Sequence, residues 1–349
     1  MHLVTVKANN LKQAGFRYGK SQRQRIADYL RFFRKFVNTF GVMPWRSMVL
    51  YATPLLASAQ KFTPEAWNFF SGMVEGSSLS ATELFAANCF DLLENGHLGR
   101  PSGRRVASHC TVLLHRSREH AWLAGSEEWF PEYLPHLTLL TVILPRCRFS
   151  TLTFPAELGG YSFGGNGSGL AYSCTTLTLC GDGYGLPLPF TLFPINCTTD
   201  YRAYLAKVRN VVFGSSVTLN ILDRKVIACG ERRHDGRVFE VRKNFGTLAH
   251  ANHSLESSPF FKTEYYWRGA SQARQRRAES LLQKQPNAGV SSALEIMADT
   301  VWRYPIFTSD VIARCAVDAK RAAIFVNERS GARVELPLVS SGKQCGYEA

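Results

Sequence analysis

No apolar run in this 349-residue chain approaches the ~18 residues that a membrane helix needs, so no transmembrane segment is expected. The opening stretch, MHLVTVKANN, lacks the apolar run of a signal peptide. None of the nine cysteines stands in a C-x-x-C pair, which removes zinc-ribbon spacing and a thioredoxin-like motif. Most lie inside apolar, strand-like runs, as Cys174, Cys180 and Cys229 do, in the manner of reduced core thiols. A cytoplasmic location is the expectation, with no metal and no cofactor. There is no internal repeat, no low-complexity segment and no long basic tract. The net charge of +14 suits anionic partners, but the basic residues are scattered in small groups such as RRH at 232 and RQRR at 274. That distribution reads as solvated surface charge. No nucleic-acid motif accompanies it, so neither nucleic acid nor a membrane is an expected partner.

What is present is a globular composition, 45% hydrophobic and 19% charged, enough for a sizeable core. The first third has helical periodicity. In IADYLRFFRKFVNTF the apolar residues Ile26, Tyr29, Leu30, Phe33, Phe36, Val37 and Phe40 share one face. A capping box, Ser80 to Glu83, opens a second helix expected to run to Asn95-Gly96. The polar, Gly- and Arg-rich link NGHLGRPSGRR follows and is the best boundary in the chain.

Beyond it the pattern changes to strands: CTVLLHR, HLTLLTVILP, GLAYSCTTLTLCG, VTLNILD, KVIACG and RVFEVRK, with Asp235-Gly236 as a hairpin turn. Helices return at SQARQRRAESLLQ and at SSALEIMADTVW, the latter with a Ser292 to Glu295 capping box, and AAIFVNE and ARVELPL close the chain as strands. Runs of strands flanked by groups of helices predict an α+β fold, with sheets packed face to face and helices outside.

Cys110 heads the first strand, behind the basic link. Composition alone leaves two readings open, a half-buried core thiol and a nucleophile. The order of several motifs resembles the isopenicillin-N acyltransferase-like family of cysteine-dependent N-terminal-nucleophile (Ntn) hydrolases. FRYGKSQRQRI is similar to that family's early G-x-x-x-G…I helix start. FFSGMVEGSSLSATELFAANCFDLL resembles its GIAEG…N…EL stretch, through Gly72, Glu75, Gly76, Leu84 and Asn88. HCT at 109–111 stands at the nucleophile position, AGSEEWFPE at 124–132 resembles GHNEDW, and GLAYSCTTL at 169–177 resembles a GLa.s.NtL strand. AHANHSL at 249–255 is close to HTNHfl, and SQARQRR at 271–277 resembles an S-x-x-R helix.

The resemblance implies a four-layer αββα sandwich. It also implies a helical prosegment, residues 1–109, removed by self-cleavage before Cys110, with 110–349 as one intertwined catalytic region. It assigns Cys110 as nucleophile and Glu128 as the acid that holds the nucleophile's amine or orients a neighbour. Asn252 becomes the oxyanion donor, and Arg274 a partner of Glu128 or of a substrate carboxylate. The plain alternatives are a solvated acid for Glu128, a strand-end turn residue for Asn252 and a surface helix charge for Arg274. His250 and His253 alone supply only two ligands, which makes a poor metal site.

The chain departs from the pattern at His109, where Gly is usual, at Ser126 and Thr175, where Asn is usual, and at Glu128, where Asp is usual. The expected activity is hydrolysis or acyl transfer on a small-molecule amide or acyl-coenzyme A thioester, through an acyl-Cys110 intermediate. A homo-oligomer or a processed alpha/beta heterodimer is the expected assembly. The departures keep one rival open: an uncleaved, catalytically degenerate member of the same fold that acts in binding.

Overall fold

Helices make up most of the first 95 residues: α1 (Leu11–Phe40), α2 (Trp45–Ala52), α3 (Leu55–Phe62), α4 (Pro64–Ser77), α5 (Ala81–Ala87) and α6 (Phe90–Asn95). The computed structural model describes residues 1–40, 43–95, 110–177, 185–233, 238–254, 265–285, 287–301, 303 and 305–339. In α1 the predicted apolar face is the buried one, with Ile26, Tyr29, Leu30, Phe33, Phe36 and Val37 all in the core. Its first half crosses α4 at close range. Gly15 and Gly19 of α1 lie against the backbone carbonyls of Phe69 and Met73, and Gly72 and Gly76 of α4 lie against those of Lys12 and Phe16. A Cβ at any of the four would fall inside a carbonyl oxygen's van der Waals radius, so this reciprocal G-x-x-x-G crossing admits only glycine.

Two sheets follow. The larger contains eight strands in the order β1 (His2–Lys7), β4 (Thr138–Ile143), β5 (Arg148–Thr153), β6 (Phe163–Asn166), β7 (Ala171–Thr176), β8 (Val217–Leu222), β9 (Ile227–Arg232) and β10 (Val238–Lys243). The smaller contains six, in the order β11 (Gly246–His250), β2 (Val112–Arg116), β3 (Ala121–Glu128), β12 (Val311–Asp318), β13 (Ala323–Glu328) and β14 (Arg333–Pro337). All named pairs are antiparallel except β1 with β4. The sheets face each other through contacts of β2 and β3 with β8, and of β3 with β7.

Helix α9 (Tyr265–Gln283) and α10 (Val290–Ile296) cover the outer face of the smaller sheet, where Leu113, Trp122 and Ala124 meet Ala278, Leu282 and Leu294. On the far side of the larger sheet a 3-10 turn, Phe193–Cys197, lies on β5 and β6. It is flanked by α7 (Leu188–Leu192) and α8 (Tyr201–Lys207), and α4 packs over it. This is the expected helix–sheet–sheet–helix layering.

Three local features differ from the sequence reading. The N-terminal segment is helical as expected but opens with β1, which pairs in parallel with β4 from His2 opposite Thr138 to Lys7 opposite Ile143. The second helix does begin at Ser80, whose Oγ accepts from the Glu83 N–H. It breaks after Ala87, however, because the Asn88 amide donates to Leu84 O and Ala156 O and accepts from the Leu158 N–H, tying the chain to the larger sheet. Helix α10 starts at Val290 with Gly289 as its cap, so Ser292 sits inside the first turn and is not the capping residue. The Asp235-Gly236 turn, the link after Asn95 and His109 lie outside the described residues, although the β9–β10 pairing that the turn joins is present.

Replacing Gly72 with Ala should lower stability by about 1–3 kcal/mol, the usual range for overpacking. Urea unfolding would show this as a lower midpoint with an unchanged slope, and an unchanged midpoint would contradict the close crossing.

Candidate active site

Cys110 stands two residues ahead of β2, at the end of the cleft between the sheets, and is half-buried. Its position is fixed by its neighbour: the Thr111 N–H donates to Ser126 Oγ at 3.0 Å, and Thr111 O accepts from the Ser126 N–H at 3.0 Å. Ser126 lies on β3, two residues before Glu128, and its hydroxyl also donates to Glu128 Oε1 at 3.3 Å. Thr308, in the loop before β12, donates to the other Glu128 oxygen at 3.4 Å.

Arg274 enters from α9 and is buried. One guanidinium nitrogen donates to Cys110 O at 3.1 Å and to Thr111 Oγ1 at 3.0 Å, and the other donates to Asn252 Oδ1 at 3.0 Å. Asn252 follows β11 by two residues. Its amide nitrogen donates to Thr176 O at 3.1 Å, and its backbone N–H donates to Ser271 Oγ at 2.8 Å. A side-chain amide has two N–H donors, so one N–H of Asn252 remains beyond the bond to Thr176. Ser271 and Arg274 are one helical turn apart on α9, which places both on the side facing Asn252. The four sequence-derived residues, Cys110, Glu128, Asn252 and Arg274, therefore meet in one place.

Thr175 does not join them. It is buried, and its hydroxyl bonds to His250 Nδ1 at 2.8 Å. His250 lies 3.4 Å from Thr218 Oγ1 and 3.8 Å from Glu231 Oε1, so it links the end of β11 to strands of the larger sheet. His253 bonds to Ser271 through Nδ1 at 2.8 Å. Among the described residues no group of three or more His, Cys, Asp or Glu side chains is arranged to hold a metal ion.

Beside Cys110 lies a cavity of about 60 Å³ whose wall includes Glu127, Glu128, Glu157, Asp91 and Cys174. Sequence reasoning passed over Glu157 and Asp91 and saw Glu127 only as a neighbour of Glu128. Their roles depend on contacts between distant segments. Glu157 accepts from the hydroxyls of Tyr29 and Tyr161. Glu127 accepts from Trp129 Nε1 at 2.6 Å and from Ser162 Oγ.

Burial raises both carboxyls to about 7, opposed only by these hydrogen bonds from neutral donors and, at Glu157, reinforced by Asp91 and Glu127. Burial also raises Glu128, against the pull of the Arg274 guanidinium. The Cys110 thiol is pushed far up, first by enclosure and then by the negative charges of Glu128 and Glu127; Arg274 and the Glu128 backbone N–H oppose this. In this form the thiol is protonated and quiet. Burial lowers Arg274, although the nearby Glu128 and Cys110 favour its charge.

A model of the acyl-coenzyme A:6-aminopenicillanic acid acyl-transferase family matches residues 116–311, which include Glu128, Asn252 and Arg274. No curated protein matches the chain. Among solved structures, penicillin V acylase from Agrobacterium tumefaciens aligns with 66% of this chain and 86% of its own, at 14% identity and a TM-score of 0.43.

The raised carboxyls set a pH dependence whose sign can be worked out. Glu127 and Glu157 hold their protons up to about 7 in the folded chain, whereas an unfolded Glu loses its proton near ~4.3. Between those values the folded state binds more protons, so their contribution to stability is complete at low pH and is lost as pH rises towards and through 7. Glu127→Gln should therefore flatten the decline in melting temperature between pH 5 and pH 8 and raise stability at pH 8. A variant whose decline matches that of the parent would show that Glu127 is ionised throughout.

Proposed function

The chain belongs to the acyl-coenzyme A:6-aminopenicillanic acid acyl-transferase family, and from that premise we propose that it cleaves an amide or thioester bond through an acyl-Cys110 intermediate. The observation that carries this reading is the fork of Arg274, which binds Cys110 O and Asn252 Oδ1 at once. It turns the Asn252 amide so that oxygen faces the cation and nitrogen faces Thr176 O, which leaves the second N–H for an oxyanion.

In the uninterrupted chain the nitrogen of Cys110 is an amide and cannot take a proton. A cut before Cys110 supplies the missing base, an α-amine with a pKa of roughly 7.7–8. We infer that the chain makes this cut itself. The thiol attacks the carbonyl carbon of residue 109, the acyl group passes from nitrogen to sulfur, and water hydrolyses the thioester. The freed amine, close to Glu128, then accepts the thiol proton. The thiolate attacks a substrate carbonyl, Asn252 donates to the oxyanion, and the amine returns the proton to the leaving group. Water or a second amine resolves the acyl-cysteine. An amide substrate with water as acceptor needs the fewest features and is placed ahead of a coenzyme A thioester.

The N-terminal segment is fixed to the rest of the fold well away from that bond. The β1 strand is laddered to β4, the Met1 amino group pairs with Glu328 at 2.8 Å, and the Tyr18 hydroxyl donates to Pro155 O at 3.0 Å. Cleavage would thus yield two chains in one folded unit.

Mass spectrometry of the purified protein should find a fragment that begins at Cys110, absent from Cys110→Ala, with both fragments co-eluting until denaturant is added. A wild-type chain that stays intact for days would favour the binding-protein reading. Asn252→Ala should lower kcat on the order of a hundredfold in a protein that still folds, with a lower melting temperature because the buried Arg274 loses an acceptor. A rise confined to KM would make Asn252 a substrate-binding group instead.

A further inference from the structure

The cavity beside Cys110 is lined by acidic side chains, the opposite of the bias of the chain as a whole. The protein's net charge is +14, yet among the described residues the cavity wall carries Asp91, Glu127, Glu128 and Glu157 and no lysine, arginine or histidine. Arg274 offsets part of this from behind Cys110, with its guanidinium engaged by Cys110, Thr111 and Asn252. No cation pairs with Glu127 or Glu157 among the described residues. Their hydrogen-bond donors are the neutral groups of Trp129, Ser162, Tyr29 and Tyr161. Each bonded oxygen has a second lone pair, so both carboxyls are held in place without being saturated.

The cavity is a site on grounds that do not involve charge, since it reaches the Cys110 thiol and is walled by the rings of Phe90, Trp129 and Tyr161. Aromatic faces attract cations through the ring quadrupole, and carboxylates attract them directly. A phosphate-bearing group finds no cationic partner in this wall.

We propose that the part of the substrate entering this cavity carries a primary ammonium group on a short aliphatic chain, so that the amide or thioester cleaved at Cys110 belongs to an amine-bearing compound. The inference rests on the acyl-Cys110 reading for the reaction, but its recognition element stands apart from the chemistry.

The test separates recognition from turnover. Full-length Cys110→Ala is titrated with n-butylammonium, butan-1-ol and butyrate by calorimetry. The ammonium should bind at least tenfold more tightly than the alcohol, and butyrate should bind most weakly. Glu157→Gln in the same background should reduce the preference towards parity. If that variant does not fold, Asp91→Asn, which keeps an acceptor for the Leu188 N–H, should do the same. Equal or tighter binding of the alcohol or butyrate, or no binding of the ammonium, overturns the proposal. An ammonium preference in a protein that turns over no amide or thioester would sustain the recognition and sink only the acyl-transfer reading.

Discussion

The site depends on one buried cation. A guanidinium taken out of water is destabilising unless its charge and its N–H donors are answered, and Arg274 is answered by groups just before β2 and just after β11 and by the nearby Glu128. Those groups have to arrive together. Ser271, one turn back on α9, holds the Asn252 backbone, and the His250 bonds to Thr175 and Thr218 hold the end of β11 to the larger sheet. A planar fork can bridge two acceptors at fixed separation, which a lysine ammonium could not do with the same geometry. The charge is thus a device for register: it fixes the spacing of Cys110 and the Asn252 amide to within the tolerance of a hydrogen bond.

The same burial sets the resting chemistry. Enclosed carboxyls around an enclosed thiol each penalise the other's ionisation, so the cluster favours protons over charges. A positive charge brought next to Cys110 would reverse that balance. The α-ammonium produced by a cut before Cys110 is one such charge, and a cationic substrate is another. Both would favour the thiolate in a low-dielectric setting where a single charge has long reach.

The sequence revealed the residues whose spacing is local. Ser271 and Arg274 share a helix face, Cys110 heads a strand, and Ser126 and Glu128 point to the same side of β3. The family pattern supplied the link between these fragments. What it could not show was set by folding alone. Thr175 is the nearest match to the usual Asn of its strand, but β7 alternates, and Thr175 faces the other sheet while Cys174 and Thr176 line the cavity. Glu157 lies in a segment with no periodic signal, Asp91 lies in the second predicted helix, and both come near Glu127 only through tertiary contacts. Asn88, read as a helix interior residue, ends the helix where its amide reaches Ala156 O and the Leu158 N–H in the segment after β5. The G-x-x-x-G repeats were legible as a helix start, while their reciprocal packing required both helices.

The parallel pairing of β1 with β4 has a consequence for how such a protein could be remade after unfolding. In an unbroken chain the strand that closes this edge of the sheet is covalently tethered, and its return is a first-order event. Were the backbone cut before Cys110, as proposed, residues that belong to one core would sit on separate molecules. Refolding would become second order, and stability would depend on protein concentration as it does for an obligate dimer. A fold assembled once from a single chain would persist through the slowness of its unfolding, with no ready route back at the concentrations of a cell.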